Sequence, residues 1–317
     1  MSNEPVAPAF TIGGQAVIEG VMMRSPSAVA TAVRKENGKI EITSRAFRGV
    51  TAKYKWLDMP IVRGGINLIE TLALGMQSLN WSADQAMDEE EREAQAKKKD
   101  KGWKQTLALA IPMVIAFVGG LGLFFYLPLM LTEWTGVENS IAFNAIDGVF
   151  RLAFFLVYIW AISLWSEMRR VFQYHGAEHK SIFVFETGLP LIPENSQRFT
   201  TFHPRCGTSF LLLVMLTSIV VFTFLGKPDT VGERLIRLAF IPVIGGIAYE
   251  LIKLSVKPAW QRWMQPLILP GLWLQRITTK EPTLDQVEVA MEAAKACLAY
   301  EDSEEELPSL AAQAASA

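Results

Sequence analysis

The feature that most constrains the fold is a long uncharged segment, which runs from Gln105 to Thr132. Its 28 residues include no Asp, Glu, Lys or Arg. A helix of this length can cross the hydrocarbon core of a membrane, for which about 20 apolar residues are enough. Three further apolar segments also predict spans. The four predicted spans cover about 105–132, 141–166, 207–226 and 235–254.

Charged residues interrupt two of these predicted spans. Asp147 and Arg151 stand four residues apart in the second span, so they can pair on one helical face or reach the interface. Arg237, Glu250 and Lys253 make the fourth span the least uniform. We expect a mainly α membrane protein with about four transmembrane helices, a small N-terminal β-hairpin element and amphipathic cytoplasmic helices.

The overall composition agrees with a membrane protein and excludes a nucleic-acid-binding one. Half of the residues are hydrophobic and 20% are charged, whereas about a quarter of the residues in soluble domains are charged. The net charge of −2 leaves no basic surface for a phosphate backbone. Cys206 and Cys297 lie far apart in the sequence, so we expect reduced thiols instead of a disulfide. No basic and apolar leader opens the chain, which predicts insertion through the internal spans.

The distribution of Lys and Arg predicts the orientation of the spans. Five lysines precede the first span, between positions 97 and 104, and more basic residues follow the fourth span. The segment 167–206 is also rich in Arg and Lys, whereas the segment 133–149 contains neither. We therefore expect both termini and the segment 167–206 on the cytoplasmic side.

The region 1–103 is too polar to span a membrane and predicts several small elements. Alternating side chains on either side of Asn37-Gly38 predict a β-hairpin at about 28–45. The preceding stretch GGQAVIEGVMMRSP suits a strand or a tight packing turn. Apolar residues at spacings of three and four predict an amphipathic helix at about 66–87, lying on the membrane surface or packed on the spans. A charged linker follows at 88–103.

The membrane domain is predicted to occupy 104–256, and the region 257–317 is predicted to follow it in three parts. The apolar run Pro266–Leu274 is too short to span, so with its tryptophans it predicts an interfacial segment. Thr283 and Gln286 have the spacing of a capping box, which predicts a helix through about Tyr300. The acidic and then Ala/Ser-rich tail from Glu301 predicts disorder.

The chain contains only three histidines, and two of them stand four residues apart in QYHGAEHKS. On a helix, His175 and His179 would face the same side. The pattern HxxEH is that of zinc enzymes in which two imidazoles bind the ion and the glutamate, here Glu178, acts as general base. Against this interpretation, Gly176 lowers helix propensity, and two histidines at this spacing can simply be interfacial.

A catalytic zinc site of this kind needs a third protein ligand and an open fourth position. His203 and Cys206, in FHPRC, stand near the predicted cytoplasmic end of the third span. Glu250 stands about one turn from the cytoplasmic end of the fourth span, where a carboxylate is costly without a partner. All three are candidates for the third ligand. Glu250 can instead pair with Lys253, and Cys206 can be a small buried residue.

Five motifs, in order along the chain, resemble those of the YqhQ-like family of bacterial membrane proteins. They are GGQAVIEGVMMRSP, HGAEHKSI, HPRCGTSF, GGIAYELIK and LQRITTKEPTLDQVEVAMEA. The resemblance covers about 13–293, and the charged insert at 88–101 resembles a variable linker. It implies a polytopic protein of the bacterial inner membrane. The family is also described as predicted metal-dependent enzymes, which agrees with the histidine pattern but names no substrate.

Two functions compete on these observations. The first is a zinc-dependent hydrolase at the cytoplasmic face, with His175, His179 and either His203 or Glu250 as ligands and Glu178 as base. The second is a non-enzymatic scaffold or assembly factor in which the cluster is a structural site. A transporter is less favoured because no span carries a polar row along one face. The expected partners are the lipid bilayer and, beyond it, a second copy or another membrane protein.

Overall fold

The computed structural model describes residues 10–87, 111, 114–255 and 257–315, and it describes side chains as far as Glu301 except at positions 258 and 261. The predicted charged linker at 88–103 and most of the beginning of the first predicted span lie outside the described residues. A β-sheet near the N-terminus is followed by ten α-helices in the described part of the chain. The strands are β1 (Gly13–Val17), β2 (Gly20–Arg24), β3 (Ala28–Arg34) and β4 (Ile40–Ala46).

The helices follow the sheet in chain order, and one of them contains a π-helical turn at Gly122–Tyr126. A 3-10 turn at Lys55–Leu57 precedes the second helix, and another at Pro193–Arg198 follows the fifth. The helices are α1 (Val50–Lys53), α2 (Val62–Ala86), α3 (Val114–Trp134), α4 (Ser140–Ile162), α5 (Ser166–Glu186), α6 (Gly207–Leu225), α7 (Val231–Ala239), α8 (Ile241–Ser255), α9 (Pro258–Thr278) and α10 (Leu284–Ala315).

The N-terminal sheet is larger than the predicted hairpin. β3 and β4 form that hairpin, with Gly38 at φ +79° in the turn, but β1 and β2 add two antiparallel strands in the order β1-β2-β3-β4. β2 and β3 are buried on both faces, so they lack the alternation by which half-buried strands are recognised. This is why the stretch GGQAVIEGVMMRSP, which contains β2, indicated only a strand or a tight packing turn.

The sheet is covered by helices on both faces. Alternate residues of β2 and β3, such as Val21 and Ala30, join a core with α5 and α10. Their neighbours, such as Met22 and Val29, join a smaller core that includes Leu74 of α2. The two-residue period of a strand therefore sends successive side chains into different cores.

Four segments are long and apolar enough to cross a membrane, as the sequence predicts: α3, α4, α6 and the pair α7–α8. In the most apolar part of each, only 11% to 28% of the residues are buried inside the protein. The exposed side chains include Phe117 and Phe224. Apolar surface of this extent needs lipid as its solvent. The fourth span is interrupted at Phe240, two residues before Pro242, because proline lacks the N–H that a continuous helix would use.

The segment 167–206, predicted as a loop, contains a buried helix. α5 carries HGAEH, and its buried residues include Tyr174, Ala177 and His179. Gly176 lies against the backbone carbonyl of Lys280, so close that a Cβ would overlap it. The glycine that lowered the expected helicity is therefore required by packing, which outweighs helix propensity.

The predicted apolar stripe of α2, which includes Ile69 and Leu72, is not the face by which this helix packs. The buried residues of this helix are mostly small: Gly64, Gly65, Leu74, Gly75, Ser78 and Ser82. Gly64 packs against Gly246 of α8 and Gly75 packs against Gln15 of β1. Ile69 and Leu72, on the predicted stripe, are 63% and 65% exposed. Small residues allow close backbone approach, so they mark the packed face.

The C-terminal region consists of two helices. The predicted interfacial run Pro266–Leu274 lies within α9, a helix of 21 residues that begins at a proline and contains two more in its interior. Thr283 and Gln286 make the reciprocal hydrogen bonds of the expected capping box before α10. α10 extends to Ala315, over the tail for which the sequence predicts disorder. These helices position Thr278, the last residue of α9, and Lys280, between α9 and α10, against α5.

Candidate metal centre

The two histidines of HGAEH lie side by side on α5. The centroids of the His175 and His179 rings are 4.5 Å apart, as their i, i+4 spacing on a helix requires. Cys206 is the N-cap of α6, and its thiol accepts a hydrogen bond from the N–H of Thr208. Two histidines from one helix therefore meet a cysteine at the beginning of another.

Backbone carbonyls set the orientation of both imidazoles. Nδ1 of His175 lies 2.8 Å from the carbonyl oxygen of Thr278, and Nδ1 of His179 lies 2.5 Å from that of Thr201. A carbonyl can only accept, so each Nδ1 carries the proton and each Nε2 presents a lone pair. Histidines that bind metals are commonly held by this second hydrogen bond.

The lone pairs of both histidines are directed towards Cys206. Nε2 of His175 lies 3.1 Å from Sγ of Cys206. Nε2 of His179 is buried and has no hydrogen-bond partner with good geometry among the described residues. One ligand atom from each of the three residues lies within 4.8 Å of the others. In a tetrahedral zinc site, N and S ligands are separated by roughly 3.3 to 3.6 Å, so small shifts would suffice.

Burial keeps His179 in the protonation state that a metal ligand needs. His179 is 1% exposed, and its burial lowers its pKa although the neighbouring Cys206 acts in the opposite direction. A neutral imidazole is the form that binds a metal. Cys206 lies at the N-terminus of α6, where the helix dipole favours a negative charge such as that of a metal-bound thiolate.

His203, a candidate third ligand, lies next to the cluster without joining it. Its ring centroid is 5.6 Å from that of His179, and the side chain of Gln275 hydrogen bonds to both its backbone N–H and its carbonyl. Nδ1 of His203 accepts from the N–H of Arg205, so Nε2 carries the proton. Nε2 lies 3.5 Å from Glu186 but makes no hydrogen bond among the described residues. Burial lowers the pKa of His203 to about 4.

Glu250, another candidate ligand, is engaged elsewhere. Its carboxylate makes a bidentate pair with the guanidinium of Arg63, at 2.6 Å and 2.5 Å. The group of potential metal ligands among the described residues does not include Glu250. The partner is Arg63 of α2 instead of Lys253, and sequence spacing gives no signal for a partner 187 residues away.

Glu178, the proposed base, is buried between α5 and the sheet. Its side chain packs against Gly14 of β1, whose backbone N–H hydrogen bonds to it. Burial raises the pKa of the Glu178 carboxyl, although the nearby His175 and His203 act in the opposite direction. A raised pKa is a common property of carboxyl groups that act as general acids or bases.

A cavity of about 550 Å³ is bordered by His203, whereas His175, His179, Cys206 and Glu178 are not among its lining residues. Arg205 and Arg262 add two cationic side chains to its wall, and Ile268, Leu269 and Leu272 of α9 add an apolar surface. Glu186 pairs with Arg205 at its edge. The space suits a ligand with an anionic or polar group and an apolar part. Sequence reasoning did not indicate Arg262 or the orienting carbonyls, because neither belongs to a spaced motif.

The residues of the cluster lie within a region of sequence that this chain shares with known proteins. A family model described as "Protein of unknown function (DUF1385)" matches residues 59–300, which include the whole cluster. The "Uncharacterized protein YqhQ" of Bacillus subtilis (strain 168) is 38% identical over 299 residues, covering 92% of this chain and 93% of the relative. No solved structure matches. These descriptions name no activity, so the metal site stays a prediction.

Proposed function

This chain belongs to the DUF1385 family, as its YqhQ-like motifs predict, and we propose that it is a membrane-bound, zinc-dependent hydrolase. The observation that carries the proposal is the orientation of His175 and His179, whose Nδ1 atoms are occupied by carbonyls while their Nε2 lone pairs meet at Cys206. Without a bound ion, this arrangement leaves a buried nitrogen of His179 without a hydrogen bond among the described residues, which is costly.

The chemical types of the three proposed ligand atoms favour zinc. Two imidazole nitrogens and one thiolate suit zinc, which binds N and S ligands in tetrahedral geometry. Three protein ligands leave the fourth position for water or substrate, which is the arrangement of catalytic zinc sites. Cys206 therefore replaces His203 and Glu250 as the proposed third ligand.

The remaining residues supply the other requirements of hydrolysis. A bound zinc ion would polarise the substrate and lower the pKa of a bound water. Glu178 would accept a proton from that water and return it to the leaving group, so that hydroxyl and proton are divided between the two products. His203 carries a proton on Nε2 and borders the cavity, where it can hydrogen bond to a substrate oxygen.

The location of the cluster at a membrane limits the classes of substrate that suit it. The charge distribution predicts that the cluster faces the cytoplasm, at the end of α6 that begins with Cys206. The cavity combines arginines with the apolar side chains of α9. A peptide or a lipid-linked molecule at the cytoplasmic surface of the inner membrane would suit that location.

A structural metal site is the second candidate, and one observation favours it. The cluster connects α5 to α6 directly and to the end of α9 through the carbonyl of Thr278. A bound ion would therefore fasten three helices together, as structural zinc sites do. Glu178→Gln distinguishes the two: it should abolish hydrolysis and leave the metal in place, whereas a structural site has no use for the carboxylate.

The test measures zinc in the full chain, purified in detergent without chelator, by elemental mass spectrometry. The chain offers a matched pair of variants, because Cys206 and Cys297 are both buried free cysteines and Cys297 instead lies against the carbonyl of Ala28. We expect about one zinc per chain in the wild type and in Cys297→Ser. Cys206→Ser and the double variant His175→Ala/His179→Ala should lose most of it.

Equal zinc contents in the two cysteine variants would contradict the assignment of Cys206. Absence of zinc from the folded wild-type protein, even after addition of zinc at neutral pH, would overturn the hydrolase proposal. Retention of zinc by the Glu178→Gln variant would support catalysis if the variant also loses hydrolysis in a screen of peptide and phosphate-ester substrates.

A further inference from the structure

A second group of buried charges lies between the spans, at the opposite end of α6 from Cys206. Nε of Arg151 donates to the carboxylate of Asp147 at 2.8 Å, and both belong to α4. Arg237 of α7 donates to Asn144 at 2.8 Å and to the carbonyl of Gly226, the residue that follows α6. α6 has 19 residues, so the two groups are separated by roughly 28 Å along its axis.

The charges in this group do not balance. Among the described residues, two buried guanidinium groups, of Arg151 and Arg237, face a single buried carboxylate, and all three side chains are at least nine-tenths buried. The carboxylate of Glu233, four residues before Arg237 on α7, also acts on Arg237 but is exposed. Nε and Nη1 of Arg237 and one carboxylate oxygen of Asp147 have no hydrogen-bond partner among the described residues. Nη1 of Arg237 is 3.9 Å from Asp147. An unbalanced positive charge within a membrane is costly, and an anion would neutralise it.

Arg151 lies at one end of an elongated apolar cavity of about 430 Å³. The wall follows α6 from Leu211 to Phe222, a length of about 16 Å. Arg151 is the one charged side chain among the lining residues, and its guanidinium stacks on Phe222. The cavity therefore has a cationic end and a long hydrocarbon-like wall.

The opposite wall is formed by an unusual turn of α3. The π-helical turn Gly122–Tyr126 contributes Phe124 and Phe125 to the cavity. Phe125 stacks on the guanidinium of Arg151, and Phe124 packs edge-on against Tyr158. A π-turn widens the helix by one residue and occurs frequently at functional sites. Here it orients two aromatic rings around Arg151 and the cavity.

We propose that this cavity binds an anionic lipid, with an acyl chain along α6 and a phosphate or carboxylate at Arg151. The surplus positive charge selects an anionic group over a neutral one. The apolar wall selects a hydrocarbon chain over a free anion. The proposed lipid site is separate from the metal centre. Binding of the lipid there does not depend on which reaction takes place at His175 and His179.

The test compares lipids on the full chain purified in a mild detergent. Increasing amounts of phosphatidylglycerol, of phosphatidylcholine with the same chains, and of inorganic phosphate are added to separate samples. Bound lipid is counted by native mass spectrometry, and the thermal unfolding midpoint is measured in parallel. We expect phosphatidylglycerol to bind about tenfold more tightly than phosphatidylcholine, the change that one charge-assisted hydrogen bond contributes, and inorganic phosphate to have no effect.

Two kinds of variant locate the site. Val214→Trp fills the cavity, and Val220→Trp is its matched control, since Val220 is on the same helix but exposed to lipid. Arg151→Met removes the surplus charge and leaves Asp147 with Arg237 as a balanced pair, so the fold should tolerate it. We expect Val214→Trp to lose bound lipid, Val220→Trp to retain it, and Arg151→Met to bind both lipids equally.

Several outcomes would overturn the proposal. Equal binding of the two lipids to the wild type would show that charge plays no part, and stabilisation by inorganic phosphate alone would show that the ligand is a free anion. Retention of the tenfold preference in Arg151→Met would place the anionic group elsewhere. If Val214→Trp fails to fold, Arg151→Met decides the question by itself.

Discussion

Nε2 of His175 lies 3.1 Å from Sγ of Cys206, although the two residues are 31 positions apart in the chain. The distance depends on two other contacts: the carbonyl of Thr278 fixes the imidazole, and the N-terminus of α6 fixes the thiol. The pair is therefore oriented by three separate segments. It is the contact on which the proposed metal centre depends.

The proximity predicts that zinc protects one cysteine and not the other. In zinc-loaded protein, Cys206 should react slowly with an alkylating reagent, because a thiolate bound to a metal attacks such a reagent more slowly than a free thiolate does. A strong chelator should raise the rate at Cys206 several-fold. Cys297, which is fully buried and makes no such contact, should react equally slowly in both samples. Peptide mass spectrometry measures both sites at once, and a Cys206 rate that ignores the chelator would contradict metal binding.

The two neighbouring histidines should have different effects on metal content. His179→Ala removes a proposed ligand and should lose most of the bound zinc. His203→Ala should retain it, because Nδ1 of His203 accepts from the N–H of Arg205 and Nε2 carries the proton, so neither nitrogen offers a free lone pair to a metal. Elemental analysis of the two folded variants tests the difference. Loss of zinc from His203→Ala would restore His203 as the third ligand.

Gly176 should not tolerate even one added methyl group. Its Cβ would overlap the carbonyl of Lys280, so Gly176→Ala should destabilise the protein by about 1 to 3 kcal/mol. Gly119→Ala in α3 is the control, because none of the described residues lies within 4 Å of its Cβ position and alanine favours a helix. Denaturant unfolding in detergent compares the two. Equal midpoints would mean that α5 and Lys280 are not in close contact.

The pair of Glu250 and Arg63 should affect stability and leave zinc content unchanged. Glu250→Gln leaves the partly buried guanidinium without its partner and should cost about 1 to 3 kcal/mol. The double variant Arg63→Met/Glu250→Met removes both charges and should recover most of that loss. Unfolding midpoints and zinc contents are measured together. A loss of zinc in Glu250→Gln would show that Glu250 is a ligand after all.

Much of the fold follows from local patterns. The spans were predicted from long apolar runs, because the requirement to cross a membrane depends on the length and apolarity of a single segment. The hairpin at Asn37-Gly38 and the capping box of Thr283 and Gln286 also depend on local sequence. β2 could not be distinguished from a packing turn, because both of its faces are buried and the alternating pattern is absent.

The candidate site was less predictable from the sequence. The spacing of His175 and His179 placed them together on a helix, and that prediction needed no tertiary information. His203, Cys206 and Glu250 could not be ranked by spacing, because each depended on how separate segments pack. The apolar stripe of α2 predicted the helix but not its packed face, which consists mostly of glycines and serines that hydrophobic periodicity does not detect.

The sequence by itself determined the membrane spans, the capping of α10 and the pairing of two histidines on one face, because each depends on neighbours within a few residues. Only the tertiary structure decided which third residue meets those histidines and which partner Glu250 takes. Those choices depend on where the carbonyls of Thr201 and Thr278 and the guanidinium of Arg63 lie in space. Such positions follow from the packing of distant segments, and no local pattern records them.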